Sequence, residues 1–236
     1  TVLLISGALG FFLGILHATW QVSVETAQVV AGIVEYPRQN PFYFYHTKAW
    51  TLLAQLPALF LYFGVSEKIL SIIISGLAGM FSFQALTLIV FALSGKKLLS
   101  ILSPMFIYAT NAALIFSDSY PVYLMCTPHT FGMIGLSFAI LTLMLITLKR
   151  KRLGGLLVGL APAVHVFIGI WVIIIVFFSF LWERKDFVKK IKEILPYLLL
   201  GLMVTVISGA YQLAAIYDVP KISSEITAPY VSASIE

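Results

Sequence analysis

Apolar residues fall into seven long runs, separated by polar stretches that are short except after the first run and around residue 120. The runs cover residues 2–19, 49–64, 69–94, 98–116, 131–148, 153–182 and 195–217. They are too long and too uniformly apolar for the alternating strands of a barrel. A backbone removed from water must satisfy its polar groups internally, so the pattern predicts helices. The expected fold is an all-α polytopic membrane protein of about seven transmembrane segments, forming one transmembrane domain over residues 1–236. Its expected place is a cytoplasmic or inner membrane, as an integral multi-pass protein. The run 153–182 holds thirty residues, against roughly 20 for one crossing. Pro162 and His165 interrupt it, so it is either one tilted helix or a hairpin of two short ones.

The longest break between runs, His17 to Lys48, mixes acids, amides and aromatics. Its part from Val22 to Glu35 lacks proline and reads as helix, and Pro37 and Pro41 then impose an irregular path. This predicts a large extracytoplasmic first loop that carries a helix lying on the membrane surface.

Composition sharpens the class. Of the 236 residues 60% are hydrophobic and 11% charged, where soluble proteins average roughly 45–50% and 25%. Nine of the fifteen basic residues sit in 149–152 and 184–192, as in loops facing anionic lipid. Two such loops favour the same side, which favours the hairpin for 153–182 and puts His165 at its far tip. With both loops on one side, the first loop and the polar loop 117–130 share the other side only if 69–94 bends or 98–116 fails to span. The KRKR block is short and lacks an aromatic platform, so nucleic acid is not an expected partner. The single cysteine, Cys126, excludes an internal disulfide and a cysteine-based metal site. The start at Thr1 and the polar end 223–236 read as those of a piece of a longer chain.

Only ten acids are present, most of them in the basic loops or the tail. Glu25, at the start of the loop helix, could act as general base or hold a divalent cation, or could simply favour the helix start by its charge. Asp118, in SDSYP, is a turn residue or a second acid beneath the first loop. His17, His46, His129 and His165 fall at ends or interruptions of the runs, where they could converge. His46, His129 and His165 are the candidates for substrate binding, and an ionisable group at His165 is costly enough to imply use. The aromatic cluster 41–46 reads as an interfacial belt or as a groove for a lipid tail. Phosphate-binding glycine loops, serine nucleophile elbows and HExxH are absent from the sequence.

A first run, a large loop with an acid near its start (Glu25), short runs, a polar loop with a second acid (Asp118) and the Gly-rich GGLLVGLAPAVHVFIGIW together resemble the membrane glycosyltransferases of the GT-C fold. The match covers most of the chain as architecture. It implies transfer of a sugar from a polyprenyl-phosphate lipid donor at the extracytoplasmic face, with the first-loop acid binding a divalent cation or deprotonating the acceptor. That role falls on Glu25, with Asp118 second. Members usually carry an aspartate, often in a modified DxD, where this chain has SVETAQ. Two other readings stand beside it: a non-catalytic subunit packed against other membrane subunits, and a transporter, for which Gln84, Asn111 and His165 would make a thin polar path.

Overall fold

The computed structural model describes residues 1–16, 24–37, 40–113, 131–183 and 187–217. Among these residues all regular structure is helical: α1 (Val2–Leu16), α2 (Glu25–Val30), α3 (Pro41–Lys48), α4 (Leu52–Tyr62), α5 (Glu67–Ser94), α6 (Lys97–Ala113), α7 (Phe131–Thr147), α8 (Lys151–Val164), α9 (Val166–Trp182) and α10 (Phe187–Tyr217). Helices α5 and α10 are each long and apolar enough to cross a membrane.

Local chemistry sets the helix ends. Ser66 caps α5 by accepting from the Ile69 N–H, and Glu67 in its first turn meets the positive end of the helix dipole. Gly95 closes α5 in the left-handed region at φ +66°, a conformation glycine takes without a Cβ penalty. The run 153–182 is divided at His165, whose backbone is extended (φ −154°, ψ 110°) and belongs to the end of α8 and the start of α9 together. Pro162 weakens the last turn of α8, since a helix-interior proline removes one backbone hydrogen bond. Gly169 then packs on the Pro162 backbone, and a Cβ there would lie 2.2 Å from the Pro162 nitrogen. Val172, Val176 and Phe180 share a buried cluster with Val158 of α8, Phe138 of α7 and Ile194 of α10, so α9 folds back along α8.

Small residues fix the directions of the helices. Gly7, Gly10 and Gly14 of α1 meet Gln84, Gly79 and Ser75 of α5 in descending order, so the two run antiparallel. Ser82 and Ser137 share a 2.9 Å hydrogen bond, while Ala78 with Ile134 and Leu88 with Leu145 are buried together above and below it. Helices α5 and α7 therefore run the same way. Gly155 of α8 lies against Ile194 and Gly159 against Gly201, and Thr205 donates to the Gly159 carbonyl at 2.7 Å, which makes α8 and α10 parallel as well.

Because α1 and α5 are antiparallel, α5 begins at the end of the molecule where α1 finishes. The intervening α2, α3 and α4 stay at that end. Helix α4, with eleven residues, is about 16 Å long at 1.5 Å per residue, about half of a bilayer core. Its buried Ala58 and Leu61 pack on Leu70 and Ile74 of α5, on Val24 just before α2 and on Ala27 within it. Helix α7 enters from this same end. The irregularity that allows it is thus α4, which returns the chain to the end it started from, and neither 69–94 nor 98–116. The opposite end gathers the basic residues: Lys151 is ion-paired with Glu193 and Lys190 with Glu183.

The α1–α5 contact tolerates no side chain, since a Cβ on Gly79 would lie 2.1 Å from the Gly10 carbonyl oxygen and one on Gly10 would lie 2.4 Å from the Gly79 carbonyl oxygen. Both obstacles are backbone, so relief requires the helices to part. Gly79→Val is expected to cost about 1–3 kcal/mol or more, read as a lower unfolding midpoint; an unchanged midpoint would show that α1 is not held there.

Candidate functional site

At the end away from the basic clusters, α2 and α3 bring an acid, a histidine and two tyrosines together. Helix α2 closes on Gly32 at φ +70°, with the Ile33 N–H bonded to the Gln28 carbonyl and the Gly32 N–H to that of Val29. This left-handed cap turns the chain back toward α3. Helix α3 opens on Pro41, whose missing N–H is no loss in a first turn. Its His46 is 5% exposed.

Residues of α2 hold both nitrogens of that imidazole. Thr26 Oγ1 lies 2.9 Å from Nδ1, and Glu25 Oε1 lies 3.5 Å from Nε2. The tautomer that satisfies both contacts carries its proton on Nε2, directed at the carboxylate, while the threonine hydroxyl donates to Nδ1. Tyr36 stacks on the ring (centroids 6.4 Å apart, planes at 19°), and Tyr45 meets it edge-on at 5.2 Å. The Glu25 side chain, by contrast, is 47% exposed. A buried, oriented histidine therefore sits behind a carboxylate that solvent or a ligand can reach. The separation of 3.5 Å is long for a hydrogen bond, as catalytic pairs often are before substrate tightens them.

Beneath the pair lies a buried polar network that ties α3 and α4 to α10. The Ser208 hydroxyl donates to Gln55 Oε1 (2.5 Å), and the Trp50 indole N–H donates to Ser208 Oγ (2.9 Å). The Gln55 amide donates to the Ser208 carbonyl (3.1 Å) and to Gln212 Oε1 (3.2 Å). The Gln212 amide reaches the Thr47 carbonyl at 2.6 Å, one residue from His46. Thr51 caps α4 by accepting from the Leu53 N–H and donates to the Val164 carbonyl at 2.7 Å, which anchors α4 on the α8–α9 corner. The sequence signal for this network is glutamine inside an apolar run, at 55 and at 212.

Of the candidate residues, Glu25 and His46 meet. His165 does not join them: its Nδ1 accepts from the Ile168 N–H at 3.5 Å, and its Cβ packs where a side chain on Gly135 would stand, 2.7 Å away. It shapes the corner beside the Val164 carbonyl. Asp118, His129 and His17 lie outside the described residues. Gln84 donates to the Leu3 carbonyl at 3.1 Å, toward the basic end. Among the described residues no group of three or more His, Cys, Asp or Glu side chains gathers to hold a metal; of the pair, Glu25 has the carboxylate oxygens to serve as a ligand.

An apolar cavity of about 360 Å³ opens between α4 and α5, walled by Leu53, Leu56, Phe60, Leu70, Ile73 and Leu77 among others. Leu70 belongs to the same packed cluster as Val24 and Ala27, which flank Glu25 in sequence, and Leu53 packs against it. Family models, curated proteins and solved structures yield no match to this chain.

Gln55→Leu leaves the Ser208 hydroxyl and the Gln212 carbonyl oxygen without the partners Gln55 provides, and is expected to destabilise by about 1–3 kcal/mol. Replacing Gln55, Ser208 and Gln212 together by apolar residues of similar size is expected to cost less than the single change. Denaturant unfolding of the variants checks this order.

Proposed function

We propose that the chain is a multi-pass membrane protein of GT-C-like design that transfers a sugar from a lipid-phosphate donor to an acceptor hydroxyl. The observation that carries the reading is the Glu25–His46 pair: a reachable carboxylate held by a buried imidazole that is itself fixed by Thr26, Tyr36 and Tyr45. Membrane embedding is supported by the composition and by the outer faces of α9 and α10, where Phe167, Trp171, Phe178, Val206 and Leu213 stand exposed. Surfaces this apolar are what lipid tails cover.

Glu25 serves as the general base. Its carboxylate takes the proton of the acceptor hydroxyl as that oxygen attacks the anomeric carbon, and the bond from that carbon to the donor phosphate oxygen breaks, so the lipid phosphate leaves with the bonding electrons. His46 is a positioning residue: Nε2–H holds the carboxylate in one orientation, as the partner of a catalytic base commonly does. The cavity between α4 and α5 offers hydrocarbon walls next to this site, as the isoprenoid chain of such a donor requires. A divalent cation would find the Glu25 carboxylate as its ligand here, since both His46 nitrogens are engaged, and would stabilise the leaving phosphate; the proton step needs only the carboxylate.

The exposed faces of α9 and α10 also favour the second reading, a non-catalytic subunit whose partners cover them. Measured as release of polyprenyl phosphate from a labelled polyprenyl-phosphate hexose, Glu25→Gln is expected to lower turnover by at least about a hundredfold with an unchanged unfolding midpoint. Thr26→Val is expected to lower kcat less, with KM little changed, because the imidazole loses the contact that fixes its tautomer. Full turnover in Glu25→Gln removes the catalytic assignment and leaves the subunit reading.

A further inference from the structure

The basic end contains a larger cavity, of about 1150 Å³, bounded by α1, α5, α7, α8 and α10. Leu3, Phe81, Leu141, Leu145 and Leu157 form its apolar walls, and Lys149, Arg150, Lys151 and Arg152 line it as well. Glu193 is also in the lining, ion-paired with Lys151. Among the described residues Lys149, Arg150 and Arg152 meet no acid, and they stand beside a hydrocarbon-lined space. In the second basic cluster Lys190 is engaged by Glu183 and lies over the Phe180 ring.

The backbone at Lys149 adds an independent observation. Four described residues adopt the left-handed region, and three of them, Gly32, Gly64 and Gly95, are glycines that follow α2, α4 and α5. The fourth is Lys149, at φ +58°. There the Arg150 N–H bonds to the Leu145 carbonyl (2.8 Å) and the Lys149 N–H to that of Ile146 (3.0 Å), the same closure that Gly32 makes after α2. A lysine is strained in this position and a glycine is not. The strain is tolerated at the one such turn that borders the cavity, where the side chain supplies a cation.

We propose that this cavity binds an anionic phospholipid, with its phosphate at Lys149, Arg150 and Arg152 and an acyl chain along Leu3, Phe81 and Leu157. Basic pockets between helices next to a membrane surface recognise anionic headgroups, and the apolar walls extend beyond what a free phosphate would use. The site is at the opposite end from Glu25 and is independent of the transferase chemistry, but it rests on the reading of the chain as membrane-embedded.

The purified protein in detergent is titrated with phosphatidylglycerol and with phosphatidylcholine, followed by native mass spectrometry and by the unfolding midpoint. The wild type is expected to retain phosphatidylglycerol selectively and to gain stability from it alone. Lys149→Gly relieves the backbone strain, so it is expected to fold at least as well while binding phosphatidylglycerol roughly fivefold more weakly. Adding Arg150→Gln and Arg152→Gln is expected to bring the loss to the order of a hundredfold. Leu3→Trp, which fills the space from a partly exposed wall position and leaves every charge in place, is expected to lose the lipid too. Equal retention of the two lipids overturns the proposal, as does undiminished selectivity in the triple variant. Competition by glycerol phosphate as effective as that by the lipid reassigns the site to a free phosphate and overturns it as well. Recovery of the protein in the soluble fraction without detergent removes the membrane reading itself, a result distinct from binding without selectivity.

Discussion

The buried clamp around Gln55 is the constraint on which the candidate site depends. Gln55, Ser208 and Gln212 satisfy one another inside an apolar setting, where an unpaired amide would be costly. The clamp holds α4 in one register against α10, and through the bond from Gln212 to the Thr47 carbonyl it also holds the end of α3. His46 is the preceding residue. The imidazole is thus positioned by a network whose members it does not touch, and Glu25 is positioned by the imidazole. An apolar contact in the same place would leave α4 free to slide, because hydrophobic packing has no direction. Hydrogen bonds of defined geometry do not allow that.

A second constraint is backbone proximity. The α1–α5 pair and the α8–α10 pair both close on glycine, with Gly10 against Gly79 and Gly159 against Gly201. These contacts gain from many weak dispersion interactions between surfaces that fit, and they allow the bonds that cross them, such as Thr205 to the Gly159 carbonyl. They also set helix direction, and direction decides which loops share an end. The short α4 follows from the same fact: with α1 and α5 antiparallel, the fifty residues between them have no passage to make and are free to build a site.

Much of the helical architecture was legible, because long uniform apolar runs admit few alternatives. The break at His165 was legible as one of two options, since thirty apolar residues with an internal proline exceed one crossing. The run 49–64 reads the same way from two causes: Ala54, Ala58 and Leu61 are buried against neighbouring helices while Leu56, Leu59 and Phe60 stand exposed, and burial in protein and contact with lipid select the same residue types. Glu25 stood out through the scarcity of acids. Its partner did not, because His46 is 21 positions away on a different helix, with a glycine turn and two prolines between them. His165 drew attention for its cost, and it caps α9 at the corner with α8; a histidine can cap a helix as well as line a pocket, and the sequence pattern is the same for both.

The sequence by itself determined helicity, the segregation of basic residues into two clusters, and the few polar side chains available for chemistry, since these follow from residue type and local spacing. The tertiary structure alone decided which end each segment occupies, that Glu25 meets His46 and Gln55 meets Gln212, and that Lys149 borders a cavity. The reason is physical: helix propensity and hydropathy act over a few residues, whereas these pairings join positions brought together only when glycine-lined helices close on one another.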